Sequence, residues 1–257
     1  MLHTWICSLV LAAAPVSAPV SSPVTPATTS LTAEQIIQKL VARDKVLVAR
    51  RKAFDYDVAI TRQKLGYDGS VTETLRDSVL VTENNGPSYN TRSGDGSPDE
   101  EQRKTAREEP FELLKIIDHY NYTLEGEQTV DGVACYRIRF TPKPDQPYTN
   151  REEKVLNNVS GLIWAAKSDF SLIKDEGSLL RPVSVAWIFA TLREMEFRFD
   201  AMLMPNGDYG PGHLQYRYLV SIPFGQLSER DTRVSSNYRP AKVVSEKDRP
   251  AAGTAAN

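Results

Sequence analysis

Histidines, cysteines and paired carboxylates are the residues of this sequence whose chemistry could act on a substrate, and they are sparse. The histidines are His3, His119 and His213, and the cysteines are Cys7 and Cys135. Asp118 precedes His119, but neighbours in sequence point apart in a helix or a strand, so the two form no dyad by themselves. A nucleophilic triad would need a serine from elsewhere, and no Gly-x-Ser-x-Gly elbow occurs. The sequence has no His-Glu-x-x-His helix, no Gly-rich phosphate loop and no Cys pair of metal-binding spacing. Asp55/Asp57 and Glu194/Glu196 sit on strand-like segments opposite apolar residues, which reads as a solvated face. A glycosidase-type pair drawn from distant carboxylates stays open. His119 and His213 are expected at surface or helix-end positions. Cys135 is expected buried and inert, because nothing electropositive stands near it in sequence. Cys7 lies in an N-terminal apolar segment, and cleavage there would leave Cys135 no disulfide partner. The expectation is therefore no catalytic residue, no metal and no cofactor.

The chain has 257 residues, a net charge of -2 and 40% hydrophobic residues. That balance fits one globular domain with flexible ends and argues against a nucleic-acid binder, which would carry a basic stripe. The densest basic run, Arg50-Arg51-Lys52, reads as a helix C-terminus favoured by the macrodipole. Residues 1–18 read as a secretory signal, since the apolar run Trp5–Ala14 is too short to span a bilayer comfortably. Residues 19–30 read as a Pro/Ser/Thr-rich spacer, residues 31–239 as the folded domain, and residues 240–257 as a disordered tail. The sequons at Asn121 and Asn158 have meaning only in a glycosylating host.

Thr32 with Gln35 makes a capping box, with Leu31 and Ile36 as a hydrophobic staple. Ile36, Ile37, Leu40, Val41, Leu47 and Val48 then form one stripe, so a helix runs to about Lys52 and lies on a sheet. Phe54–Ile60 alternates, Gly66–Gly69 turns, and Val71–Thr82 completes a hairpin. Residues 84–107 form a long polar loop whose acidic residues lack calcium-loop spacing. Pro110 opens a second helix. Tyr122–Phe140 is a hairpin about Asp131-Gly132, and residues 141–155 form a connecting loop.

The largest apolar side chains gather between Leu162 and Val220. Met195, Phe197 and Phe199 alternate with Glu194, Glu196, Arg198 and Asp200. Val183, Val185, Trp187 and Phe189 share one face of the next candidate strand, and Leu214, Tyr216, Tyr218 and Val220 share one face of another. Residues 205–212 read as a long hairpin turn, and residues 224–238 as polar with few anchors. The fold class is α+β: a curved antiparallel sheet with helices over its apolar face. Whether that face is a filled core or a ligand cavity is left open by the pattern alone.

The order of these elements resembles the LolA/LolB-like superfamily, and more closely the outer-membrane lipoprotein-sorting proteins. The resemblance is carried by the capped first helix and by the hairpin Val130-Asp-Gly-Val-Ala-Cys-Tyr-Arg-Ile-Arg-Phe140. It extends to the stretch Ser160-Gly-Leu-Ile-Trp-Ala-Ala-Lys-Ser-Asp-Phe-Ser-Leu-Ile-Lys-Asp-Glu-Gly177. It implies an incomplete barrel, with helices closing an apolar cavity over acyl chains. Trp164, Trp187, Phe189, Met195, Phe197, Phe199, Tyr216 and Tyr218 are then the cavity candidates. The implied function is a periplasmic, non-enzymatic carrier or binder of lipid or lipoprotein acyl groups, with a possible inner- or outer-membrane partner protein. The alternative is a sensor or scaffold of the same fold that binds a protein. An exported hydrolase ranks third.

Overall fold

The structure is a computed structural model that describes residues 31–82, 86–89, 117–185 and 190–241. The leader, the spacer, most of the polar loop, the helix expected from Pro110 and the charged tail lie outside these residues. Among the described residues, no helix is long and apolar enough to cross a membrane.

Helix α1 (Ala33–Arg51) begins as its sequence requires. Thr32 Oγ1 accepts from the Gln35 amide, and the Gln35 side chain accepts from the Thr32 amide, which closes the capping box. The strands are β1 (Phe54–Leu65), β2 (Val71–Thr82), β3 (Gly86–Tyr89), β4 (Tyr120–Val130), β5 (Val133–Pro142), β6 (Val159–Ala166), β7 (Leu172–Leu179), β8 (Val183–Ser184), β9 (Thr191–Leu203), β10 (Tyr209–Ile222) and β11 (Gly225–Pro240). They form one antiparallel sheet in the order β3-β2-β1-β11-β10-β9-β7-β6-β5-β4, with β8 paired to β9. The path does not close on itself, so the architecture is an open, curved half-barrel with α1 laid against it.

Several local expectations hold. The β4–β5 turn places Asp131 at φ 47 and Gly132 at φ 82, the two successive left-handed residues of a type I′ turn. Met195, Phe197 and Phe199 point to one face of β9, while Glu194, Glu196 and Arg198 are exposed on the other.

Other expectations change. Residues 141–155 are not loop throughout, because a short helix α2 (Arg151–Leu156) starts where Asn150 accepts from the Glu153 amide. The polar stretch 84–107 includes β3, which extends the sheet beyond β2. The hairpin turn after β9 is shorter than residues 205–212, since β10 resumes at Tyr209. Asp55 is buried rather than solvated: a register shift against β11 between Asp55 and Asp57 interrupts the alternation, and Phe54, Asp55 and Tyr56 are all buried. The largest change is β11. Residues 224–238 read as polar with few anchors, yet β11 pairs with both β1 and β10 and joins the N-terminal hairpin to the rest of the sheet.

Cross-strand partners share a face, so the register assigns side chains to sides. One inner row runs Tyr122, Phe140, Gly161, Gly177, Phe197, Tyr216, Asp231, Arg62. The next runs Leu124, Ile138, Ile163, Asp175, Phe199, Leu214, Arg233, Ile60. On this face Ala33, Ile36, Ile37 and Leu40 of α1 share a core with Ile138, Phe140, Ile163, Ala165 and Phe197.

Candidate functional site

The candidate site is the inner face of β9 and β10. Strand alternation puts Met195, Phe197 and Phe199 side by side with Tyr218, Tyr216 and Leu214 across the β9–β10 ladder. Five of the residues expected to line a cavity thus come together: Met195, Phe197, Phe199, Tyr216 and Tyr218. Phe197 is buried, and the other four are half-buried. The Tyr216 and Tyr218 rings stack at a centroid distance of 6.4 Å.

Trp164 does not join them. Its partners are Arg137 and Lys174, which places it on the opposite face of the sheet. There its indole N–H donates to Gln128 Oε1 at 2.9 Å, and Lys174 Nζ lies 4.3 Å from the ring centroid. It packs with Cys135, Ala166 and Ile173. The segment Gly161–Ala165 is apolar on both faces, so alternation could not choose its side. Trp187 and Phe189 lie outside the described residues.

Two glycines shape the floor. A Cβ on Gly177 would meet the Phe197 ring at 2.6 Å, and one on Gly161 would meet the Glu176 carbonyl oxygen at 1.9 Å. The bare backbone of β6 and β7 therefore lets the Phe197 ring lie against the sheet. Isolated glycines inside strand patterns are the signal that could have shown this. Phe170 was also missed. It adopts φ 62 in the β6–β7 turn, which stacks its ring on Tyr136 at 6.2 Å and beneath Lys39 of α1 at 5.2 Å.

The face changes character beyond Tyr216. The Tyr216 hydroxyl donates to Asp231 Oδ2 at 2.8 Å and accepts from Arg233 Nη2 at 3.2 Å. Arg62 Nε lies 3.4 Å from the same Asp231 oxygen. The Tyr218 hydroxyl donates to Glu229. Burial pushes the Tyr216 hydroxyl up to about 12, with Arg233 opposing the rise and Asp231 adding to it. Burial first, and then the bond to Glu229, push the Tyr218 hydroxyl higher still. Both tyrosines stay neutral and keep their donor protons at physiological pH.

Inside the apolar half sits Asp175, between Ile163 and Phe199. One of its carboxylate oxygens, Oδ1, meets no hydrogen-bond donor among the described residues. Burial, reinforced by Glu176 and Asp200, raises this acid to about 8, so it is held protonated near neutrality.

The two ends of α1 are held differently. The first turns pack on the apolar core. The second half is held by charge at the rim: Arg43 Nη2 lies 2.9 Å from Asp208 Oδ1 and 2.8 Å from Asp169 Oδ2, and Arg43 Nε donates to Ser171 Oγ at 3.2 Å. Arg50 Nη1 reaches Asp208 Oδ1 at 3.2 Å, and Asn206 Nδ2 donates to Asp208 Oδ2 at 2.8 Å. The basic helix end thus bridges to the β6–β7 and β9–β10 turns.

His119 and His213 are apart from this face. His119 Nδ1 is 2.9 Å from Asn157 Oδ1, and His213 Nδ1 is 3.6 Å from Asp200 Oδ2 on the polar outer face. Cys135 is fully buried, which pushes its thiol up and away from reactivity. Among the described residues, no group of three or more His, Cys, Asp or Glu side chains is placed to hold a metal ion.

No protein-family model matches the chain, and no curated protein matches it. Among solved structures, a DUF1329 family protein from Desulfovibrio piger is similar with a TM-score of 0.38 at 13% identity, covering 84% of this chain and 96% of that one. A LolA superfamily protein from Nitrosomonas europaea is similar with a TM-score of 0.34 at 17% identity, over 85% of this chain and 97% of that one. The lipoprotein LppX of Mycobacterium tuberculosis gives 0.33 at 11% identity, over 81% and 98%. At these identities and TM-scores the likeness is a distant one. It assigns no residue of this chain a role, and the functional reading rests on the geometry of the inner face.

Proposed function

We propose that this chain is an exported, non-enzymatic binder of acyl chains, acting in the periplasm or outside the cell as a carrier of lipid or lipoprotein acyl groups. One observation carries the reading. Met195, Phe199, Tyr216 and Tyr218 form a contiguous, largely aromatic stripe around buried Phe197, and all four remain half-buried. Each methylene laid on such a surface is stabilised by about 0.8 kcal/mol, so a chain of ordinary length binds without any covalent step. The ion-paired second half of α1 supplies a mode of access. Arg43 and Arg50 tether it to Asp169 and Asp208, and because Asp208 is buried its release has to be compensated by a competing surface or partner, while the apolar first half stays docked. Loading and release then need only a lid motion and a membrane or partner protein that competes for the chain.

The test is native mass spectrometry of the purified protein, followed by organic extraction and titration with a fluorescent fatty acid. Stoichiometric acyl lipid is expected. Phe199→Ser is expected to weaken fatty-acid uptake at least about tenfold while the far-ultraviolet circular dichroism stays unchanged. A clean apo mass together with no uptake by the wild-type protein would overturn the reading in favour of a protein-binding module.

A further inference from the structure

The chain exposes large apolar side chains unevenly. Of the eleven such residues exposed among the described residues, seven belong to just two hairpins, and six of these lie toward their turns: Tyr67, Val71 and Leu75 of β1–β2, and Ile222, Phe224 and Leu227 of β10–β11, with Val234 farther along β11. The two turns are neighbours. β1 and β11 pair up to Lys64 and Glu229, and a Cβ on Gly225 would lie 3.5 Å from the Tyr67 hydroxyl. Phe224 is 101% exposed and Tyr67 81%, values that no packing role explains. Soluble surfaces scatter single apolar residues, but an apolar cluster confined to one tip marks a contact site.

We propose that these adjoining turns form a membrane-docking tip, which places Phe224 and Tyr67 in the interfacial layer of a lipid bilayer. The shape favours a bilayer over a protein groove. Both turns are convex ends of hairpins, and each offers one fully projecting aromatic ring. An aromatic ring is the side chain best suited to the headgroup boundary, and tyrosine adds a polar handle that stays wet. The local charge points the same way. Lys64 pairs with Glu73 at 2.7 Å, and Asp68 is turned back onto Ser70, accepting from its amide at 3.0 Å and its hydroxyl at 2.6 Å. No unpaired basic cluster is presented by either turn. Docking is therefore driven by apolar insertion rather than by attraction to anionic headgroups, and it is only weakly sensitive to salt.

The tip also continues the aromatic stripe. Leu214, Tyr216, Tyr218 and Val220 run along one face of β10 directly to Ile222. A docked tip would present the end of that stripe to the bilayer. The docking itself stands on the exposed turns, whether or not the stripe binds acyl chains.

Co-sedimentation of the full chain with phosphatidylcholine vesicles tests the tip, with amide hydrogen exchange as a second readout. The wild-type protein is expected to bind. New protection is expected at residues 66–71 and 222–227, and raising the salt to roughly half-molar is expected to change binding less than about threefold. The double variant Tyr67→Ser/Phe224→Ser is expected to bind at least about tenfold more weakly, with an unchanged melting temperature because neither side chain is buried. Wild-type binding without protection of these turns would overturn the proposal, as would equal binding by the variant. Failure of the wild type to bind, or a concentration-dependent dimer abolished by Phe224→Ser in its place, would also overturn it. Fatty-acid uptake measured on the same variant separates the two readings: it is expected to be retained even where vesicle binding is lost.

Discussion

Phe197 divides the inner face of the sheet into two unlike halves. Toward β4, its row continues through Gly177, Gly161, Phe140 and Tyr122; toward β1, it continues through Tyr216, Asp231 and Arg62. The backbone is the same antiparallel ladder on both sides. The first half is roofed by α1 and held by burial of carbon, which is non-directional and tolerant of small shifts. The second half is held by a directional network in which buried Asp231 answers two guanidinium groups and a phenol. Buried charge contributes less to stability than carbon does, but it is unforgiving when one partner is removed. A sheet built this way sets a tolerant apolar surface beside a rigid polar wall that fixes where that surface ends.

Four measurements can break or sharpen this contrast. The largest effect is expected from Phe197→Ala, which empties the centre of the apolar half and should lower the unfolding free energy by about 3–5 kcal/mol in a denaturant titration. Across the divide, Asp231→Ala leaves Arg233 and Arg62 facing each other in a poorly solvated site, and should cost about 3 kcal/mol. If Asp231→Ala cost less than 1 kcal/mol, the polar half would be solvated and the contrast would fail.

Asp175 is the exception inside the apolar half, and its effect depends on pH. Burial raises its folded-state pKa from 3.8 to about 8. Below pH about 4 both folded and unfolded states hold the proton. Between about 4 and 8 only the folded state holds it, so this group makes stability fall as pH rises; above about 8 both states are ionised and the slope vanishes. Asp175→Asn should therefore raise stability at pH 8 by about 2 kcal/mol or more and flatten the pH dependence of the melting temperature across that window. An unchanged slope would show that the carboxyl is solvated. The smallest effect is expected from Thr32→Ala at the roof, about 1 kcal/mol by loss of the cap, read as faster amide exchange in the first turn of α1.

The sequence could be read wherever the determining interaction is local. Thr32 and Gln35 close a cap across one helical turn, Asp131-Gly132 makes a turn from its own two residues, and Glu194–Asp200 shows its two faces by alternation. The Met195, Phe197, Phe199, Tyr216 and Tyr218 grouping was legible for the same reason, since each set lies on one strand and only their adjacency had to be guessed. Trp164 was not, because its strand is apolar on both faces and size alone suggested the inner one. β11 was illegible as a strand: Ser228, Asp231 and Ser235 are its buried residues, and a polar side chain reads as solvated until its partner is known.

By itself, then, the sequence determined the helix cap, the hairpins and which large side chains share a strand face, because these depend on residues within a turn or a strand of one another. Only the tertiary structure decided that β11 joins the sheet through pairings with β1 and β10, that Asp175 is buried between Ile163 and Phe199, and that two distant turns bring Tyr67 close to Gly225. Those outcomes depend on register between segments far apart in the chain, where a shift of one residue moves every side chain to the opposite face.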